Sequence, residues 1–236
     1  MDRKYRLITI IIFFSFLFFL SCTTFKVPKY IQQHYTIKYP HGTGGLDSLI
    51  NINGYYSYQE INPNHRFIKG KLFSSDYIVV YDTSYINYVF FYDGMFLWNM
   101  GTTQCYKPEC MEQSIERVNK DSSKKAGELL YGCWGSYKLS GDTIITQYIQ
   151  QQHSLNDSWT AWQEEFKILD KNTIIQINRK PIDNRSAQDM RAWENDSVNR
   201  KYQTATFIHL NTLPKSNCWL KKERWFMQND TIKNRF

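Results

Sequence analysis

The chain has no Gly-x-Ser-x-Gly elbow, no glycine loop with the Lys and Ser or Thr that cradle a phosphate, and no His-Glu-x-x-His helix. Each absence removes a route to chemistry: an exposed serine nucleophile, a nucleotide site, a zinc hydrolase. His41-Gly42-Thr43-Gly44-Gly45 is rich in glycine but lacks those partners and reads as a flexible turn. The five histidines, His34, His41, His65, His153 and His209, stand singly, at no metal-ligand spacing. Basic residues run no further than pairs such as Lys124-Lys125 and Lys221-Lys222, so they form a solvated face and no nucleic-acid stripe. No internal repeat has a fixed period. The main apolar run, Leu7 to Leu20, has 14 residues, short of the ~20 that cross a bilayer as a helix.

That short run is informative. Asp2, Arg3, Lys4 and Arg6 make a net-basic start, the apolar run follows, and Ser21-Cys22 ends it, which is the order of a secretory signal. Phe19-Leu20-Ser21-Cys22 resembles the lipobox of bacterial lipoproteins, in which the cysteine is acylated and becomes the mature N-terminus. The resemblance implies lipidation of Cys22 and a mature protein held on a membrane of the cell envelope, since each buried methylene adds ~0.8 kcal/mol of anchoring. The expected organisation is a signal over 1–21, a lipid-anchored tether over 22–45 and one domain over 46–236. The removed signal holds three basic residues and one acidic. That leaves 26 basic against 21 acidic side chains and a net charge of +5, a mild bias that suits anionic headgroups or acidic glycans.

Aromatic residues make up 17% of the chain, with 17 Tyr, and together with Ile and Thr they favour pleated, half-buried surfaces. Ile50, Ile52, Tyr56 and Tyr58 alternate with Asn51, Asn53, Tyr55 and Ser57, the period of a strand with one buried face, and Gly54 reads as a bulge. Further strands are expected at Tyr77 to Tyr81 and Tyr85 to Tyr92, separated by Asp82-Thr83-Ser84, with Asp93-Gly94 as a hairpin turn. Trp134 to Leu139 turns through Ser140-Gly141-Asp142 into Ile144 to Ile149. Trp162 to Leu169 turns through Asp170-Lys171-Asn172 into Thr173 to Ile177. Thr204 to Leu210 and Cys218 to Phe226 are the last strands. Met111, Ile115 and Val118 keep helical spacing within Glu109 to Lys125, and Ser186 can cap a short helix through Trp193, with Asp189 as an acidic variant of the capping box. Hairpin-linked strands point to a mostly β fold: an antiparallel up-and-down barrel with one or two short helices, closed by pairing Ile50 to Tyr58 with Cys218 to Phe226.

Gly132-Cys133-Trp134-Gly135-Ser136-Tyr137-Lys138-Leu139-Ser140-Gly141-Asp142-Thr143-Ile144 resembles a strand, turn and strand of uncharacterised lipocalin-like lipoproteins of gram-negative bacteria. The resemblance covers about 40 residues, and it implies a lipocalin-like barrel that either encloses a small apolar ligand or is filled by its own side chains.

With Cys22 acylated, Cys105, Cys110, Cys133 and Cys218 remain, an even number for which export makes disulfides the default. A local Cys105–Cys110 bridge with Cys133–Cys218 joining distant strands is one of three pairings. Buried free thiols are the alternative. A four-thiolate zinc site lacks paired knuckles. Glu164 and Glu165 are adjacent, so in a strand they point to opposite faces, and Asp93 and Asp142 fall in turns that Asp fills for local reasons. No acid and base pair emerges, and neither metal nor cofactor is called for. The expected function is a non-catalytic binding or structural role on the cell envelope, with a small apolar ligand or an envelope protein as partner and no nucleic acid. The alternative is a glycan-binding lipoprotein in which Trp159 and Trp162 stack on sugar rings; a hydrolase with an unrecognised site ranks third.

Overall fold

A computed structural model describes residues 27–67, 77–98, 109, 111–113, 115–116, 133–151, 159–184, 203–216 and 218–227. Eight antiparallel strands form one closed barrel in sequence order: β1 Gly54–Phe67, β2 Tyr77–Phe90, β3 Met95–Trp98, β4 Cys133–Ser140, β5 Thr143–Gln151, β6 Trp159–Asp170, β7 Thr173–Pro181 and β8 Thr204–His209. This is the up-and-down, lipocalin-like architecture expected of hairpin-linked strands. Closure pairs β1 with β8, while β1 beyond Ser57 and β2 before Tyr88 pair with each other.

The seam differs from expectation. β8 closes the barrel, Gly54 facing His209 and Ser57 facing Thr206. Cys218 to Phe226 is no strand: Trp219–Lys222 is a 3-10 turn and Arg224–Met227 a helical turn. Only Leu220 and Phe226 there are fully buried, and the charged run Lys221 to Arg224 between them breaks any period of two. Gly54 is the strand's first residue and not a bulge. A Cβ on it would sit 2.1 Å from the Ile208 carbonyl oxygen, so the seam needs a glycine there.

Asp82-Thr83-Ser84 likewise does not interrupt a strand. β2 is continuous because Glu60, Ile61 and Asn62 of the equally long β1 pair with Ser84, Thr83 and Asp82; ladder pairing overrides local turn preference. The other turns fall where read. Gly94 takes a φ of 82° and Gly141 one of 61°, the left-handed values that admit glycine without strain. Ile50 and Ile52 precede β1 and join Leu46 of the short helix Leu46–Leu49 in plugging one end of the barrel.

Strand alternation gives the wall two apolar faces. Inside lie Tyr56, Tyr58, Tyr88, Phe90, Phe96, Tyr137, Tyr148 and Phe166. Outside, Val89, Leu97, Trp134, Ile149 and Ala161 are covered by flanking segments of the chain. The described part of the expected tether supplies much of that cover. In the helix Lys29–His34 Ile31 is buried, and Tyr35 donates to the Gln147 carbonyl oxygen at 2.5 Å and accepts from the Ser136 amide. Burial holds the Tyr35 hydroxyl well above its ordinary pKa. Residues 27–39 are therefore docked on the barrel rather than extended from it. Met111 and Ile115, both helical, pack on the same outer cluster. Val118 and the expected helix from Ser186 to Trp193 lie outside the described residues.

Candidate functional site

The interior changes character along the barrel. Toward the plugged end it is a close set of rings: Tyr88 to Phe166 at 4.7 Å between centroids, Phe90 to Phe96 at 5.3 Å, Phe90 to Tyr137 at 5.5 Å, mostly edge-on or tilted, as aromatic quadrupoles prefer. Two tyrosine hydroxyls of the interior find backbone acceptors at the turns, Tyr137 on the Phe91 carbonyl and Tyr56 on that of Lys171, both at 2.7 Å.

A charged cluster sits further along. Glu164 of β6, fully buried, accepts on Oε1 from the Tyr148 hydroxyl at 2.9 Å and faces Arg179 Nε at 3.3 Å. The Arg179 guanidinium lies 4.7 Å from the Trp162 ring centroid and 5.5 Å from that of Trp98, within cation–π range of both. Trp98 in turn stacks on Tyr148 at 5.6 Å with planes 7° apart.

A register shift places the arginine. Phe166 pairs with Gln176 while Glu165 pairs with Asn178, so Ile177 is extra and the inward phase of β7 shifts from Ile174 and Gln176 to Arg179. Regular alternation would have pointed Arg179 into solvent.

Burial and the neighbouring charges set the protonation of this cluster. Burial, with Glu164 nearby, holds the Tyr148 and Tyr88 hydroxyls well above their ordinary range, although Arg179 opposes the shift at Tyr148. Burial alone would lower the Arg179 pKa, but Tyr148 and Glu164 outweigh it and the net shift is upward. Burial raises the Cys133 thiol far above its usual value, against the pull of Arg179, and a thiol held protonated is a poor nucleophile. Glu164 thus partners an arginine, which does not give up its proton in proteins, so the pair is no acid and base couple.

A second polar cluster ties the chain's C-terminal part to the β2–β3 hairpin. Lys221 Nζ donates to Asp93 and, at 2.9 Å, to Ser216 Oγ, while Ser216 donates to Asp93 at 2.6 Å. Serine beside lysine invites comparison with a Ser–Lys dyad. Here the lysine donates to the serine and binds a carboxylate, which makes the cluster a latch.

The residues singled out from sequence are dispersed. Trp162 faces the interior, where its indole N–H donates to Thr160. Trp159, three residues earlier and on the opposite face, packs on the outer cluster against Trp219. They form no paired platform for a sugar. Glu164 and Glu165 do point to opposite faces, Glu165 meeting Lys180 at 3.7 Å outside. Asp142 lies exposed in its turn beside Lys167. Cys133 and Cys218 are free thiols, a correction to the expected bridge. Cys133 belongs to the inner cluster and Cys218 to the outer one, so the barrel wall stands between them. Cys22, Cys105 and Cys110 lie outside the described residues, and no metal-ligating cluster occurs among the described ones.

Arg179 and Tyr148, which organise the charged cluster, were not expected. The β7 strand was expected to end at Ile177, and a bulge leaves no mark in a period of two. Comparison with protein families, curated proteins and solved structures finds no match to this chain.

Proposed function

We propose that this protein is a lipid-anchored, non-catalytic component of the cell envelope whose barrel is a filled scaffold, acting through its outer surface rather than by enclosing a ligand. The single observation that carries this reading is the ring-on-ring packing of Tyr88, Phe90, Phe96, Tyr137 and Phe166 in the barrel interior. An apolar ligand competes poorly for a space its host already packs at interior density. The neutralised Glu164–Arg179 pair speaks against acid–base hydrolysis, and 1–22 supply the export signal and Cys22 for acylation.

Two measurements test the reading. Membrane fractionation of wild type and Cys22→Ser, with mass spectrometry of the N-terminal peptide, is expected to show an acylated, membrane-bound wild type and an unprocessed or released variant. Identical partitioning with no acyl group removes the anchor. Native mass spectrometry of protein released from its membrane is expected to show the mass of the acylated chain alone; a stoichiometric apolar adduct that survives detergent exchange contradicts the filled scaffold.

A further inference from the structure

The outer face of β1, β2 and β8 carries a groove of about 230 Å³, which Tyr58 of the inner cluster also borders. A row of cross-strand partners crosses it: Asn87 opposite Ser57, and Ser57 opposite Thr206. All three point outward, because the flanking residues Tyr56, Tyr88, Ala205 and Phe207 face the interior. Tyr85 and Gln59, directly opposite each other, bound one side, and Tyr55 bounds the other. Ser57 and Asn87 are almost fully buried at the bottom, whereas Gln59 and Thr206 are exposed at the rim.

The chemistry of this lining is narrow. Among the described residues no Lys, Arg, Asp or Glu contributes to it. Burial, reinforced by the charges of Glu109 and Glu112, pushes the Tyr55 hydroxyl up to about 12, so the described charges acting on this wall are carboxylates. An anion would feel the nearby Glu109 and Glu112 charges and meet no cation among the described lining residues. The described lining is a set of amides and hydroxyls, able to donate and accept, beside tyrosine rings and the apolar side chains of Met111 and Ile208. A ligand matching both has hydroxyl groups around its edge and an apolar C–H face to lay on a ring. The volume lies below the roughly 300–1,000 Å³ of drug-sized sites, room for one small ring and not a chain of them.

We propose that this groove binds one neutral pyranose unit, its hydroxyls on the Asn87–Ser57–Thr206 row and one face against tyrosine. The site rests on the reading of the barrel as an outward-acting envelope module and names the ligand class that such a module meets. It replaces the Trp159–Trp162 pair, which the barrel wall separates, as the place where a glycan contacts the protein.

Saturation-transfer NMR on full-length protein purified from membranes in detergent tests it, with methyl β-glucoside, methyl β-galactoside and N-acetylglucosamine as probes and glucuronate as the anionic control. At least one neutral probe at about 20 mM should receive saturation, as a weak millimolar ligand does, and glucuronate should receive much less. Ser57→Leu, which fills the floor, should abolish transfer. Tyr85→Ala and Gln59→Ala, at half-buried and exposed positions that the fold tolerates, should each weaken binding, Tyr85→Ala by about tenfold. No transfer to any of the three neutral probes overturns the site, as does equal transfer to glucuronate or unchanged affinity in both Tyr85→Ala and Gln59→Ala. If Ser57→Leu does not fold, those two variants decide. Transfer that persists while Cys22→Ser leaves membrane attachment unchanged would remove the envelope reading and keep the groove; normal acylation without transfer would do the reverse.

Discussion

The inside of the barrel and the outer face of β1, β2 and β8 draw on one vocabulary of tyrosine, serine, threonine and amide side chains, and they put it to opposite uses. Inside, Tyr137 and Tyr56 donate to turn carbonyls, Tyr148 donates to Glu164, and the rings pack on one another. Outside, Asn87, Ser57 and Thr206 line up across three strands from the floor to the rim of a groove. Aromatic and polar content therefore does not mark a binding face. The mark is whether the polar groups converge on other groups of the protein or on a space.

Substitutions sharpen the contrast, because interior positions should cost stability and groove positions should not. The largest effect is expected at Glu164→Leu, which strands the Arg179 charge inside the barrel. A loss of about 3–5 kcal/mol by urea denaturation is expected, with much of it recovered in the double variant Glu164→Leu/Arg179→Met. A double variant no more stable than the single one would show that the charge was not the problem. Phe166→Ala, which removes a fully buried ring packed on Tyr88, Phe90 and Phe96, should cost a similar ~3–5 kcal/mol through the cavity it leaves. A cost under ~1 kcal/mol would mean the interior was loosely filled.

Two smaller effects lie outside the interior. Burial by itself would raise the Asp93 pKa, but hydrogen bonds from Lys221, Ser216 and the Met95 amide outweigh it and hold the carboxyl below its ordinary value. A depressed folded pKa contributes stability above the unfolded value of about 3.9, and that stability is lost as pH falls through the folded one. The stability gap between wild type and Asp93→Asn should thus stay constant from near-neutral pH to about pH 5 and close below about pH 4. A gap that widens on acidification would contradict the latch. Smallest of all, Thr206→Ala at the groove rim should shift stability by no more than about 0.5 kcal/mol, leaving sugar binding as the property it alters.

The parts of this fold visible in the sequence are those set by local chemistry. Asp93-Gly94 and Gly141-Asp142 announced turns because few residues tolerate a positive φ, and the alternation around Tyr56 and Tyr58 announced an inward face. The choice of closing strand was not visible, because Cys218 to Phe226 and Thr204 to Leu210 both contain aromatic residues, and only the geometry of the seam at Gly54 selects between them. The charged cluster was hidden for a related reason. Glu164 meets Arg179 through one extra residue at Ile177, and a bulge appears only when both partner strands are laid side by side. The groove combines Asn87, Ser57 and Thr206 from three separate strands, so no spacing in the chain brings them together.

Xenon pressure crystallography most directly tests whether the barrel is filled, since xenon occupies dry apolar cavities of modest size. A filled barrel should show no xenon peak among Phe90, Phe96, Tyr148 and Phe166 in the wild type and a new peak there in Phe166→Ala. A well-occupied xenon site inside the wild-type barrel would contradict the scaffold reading and return the interior to the role of a ligand cavity.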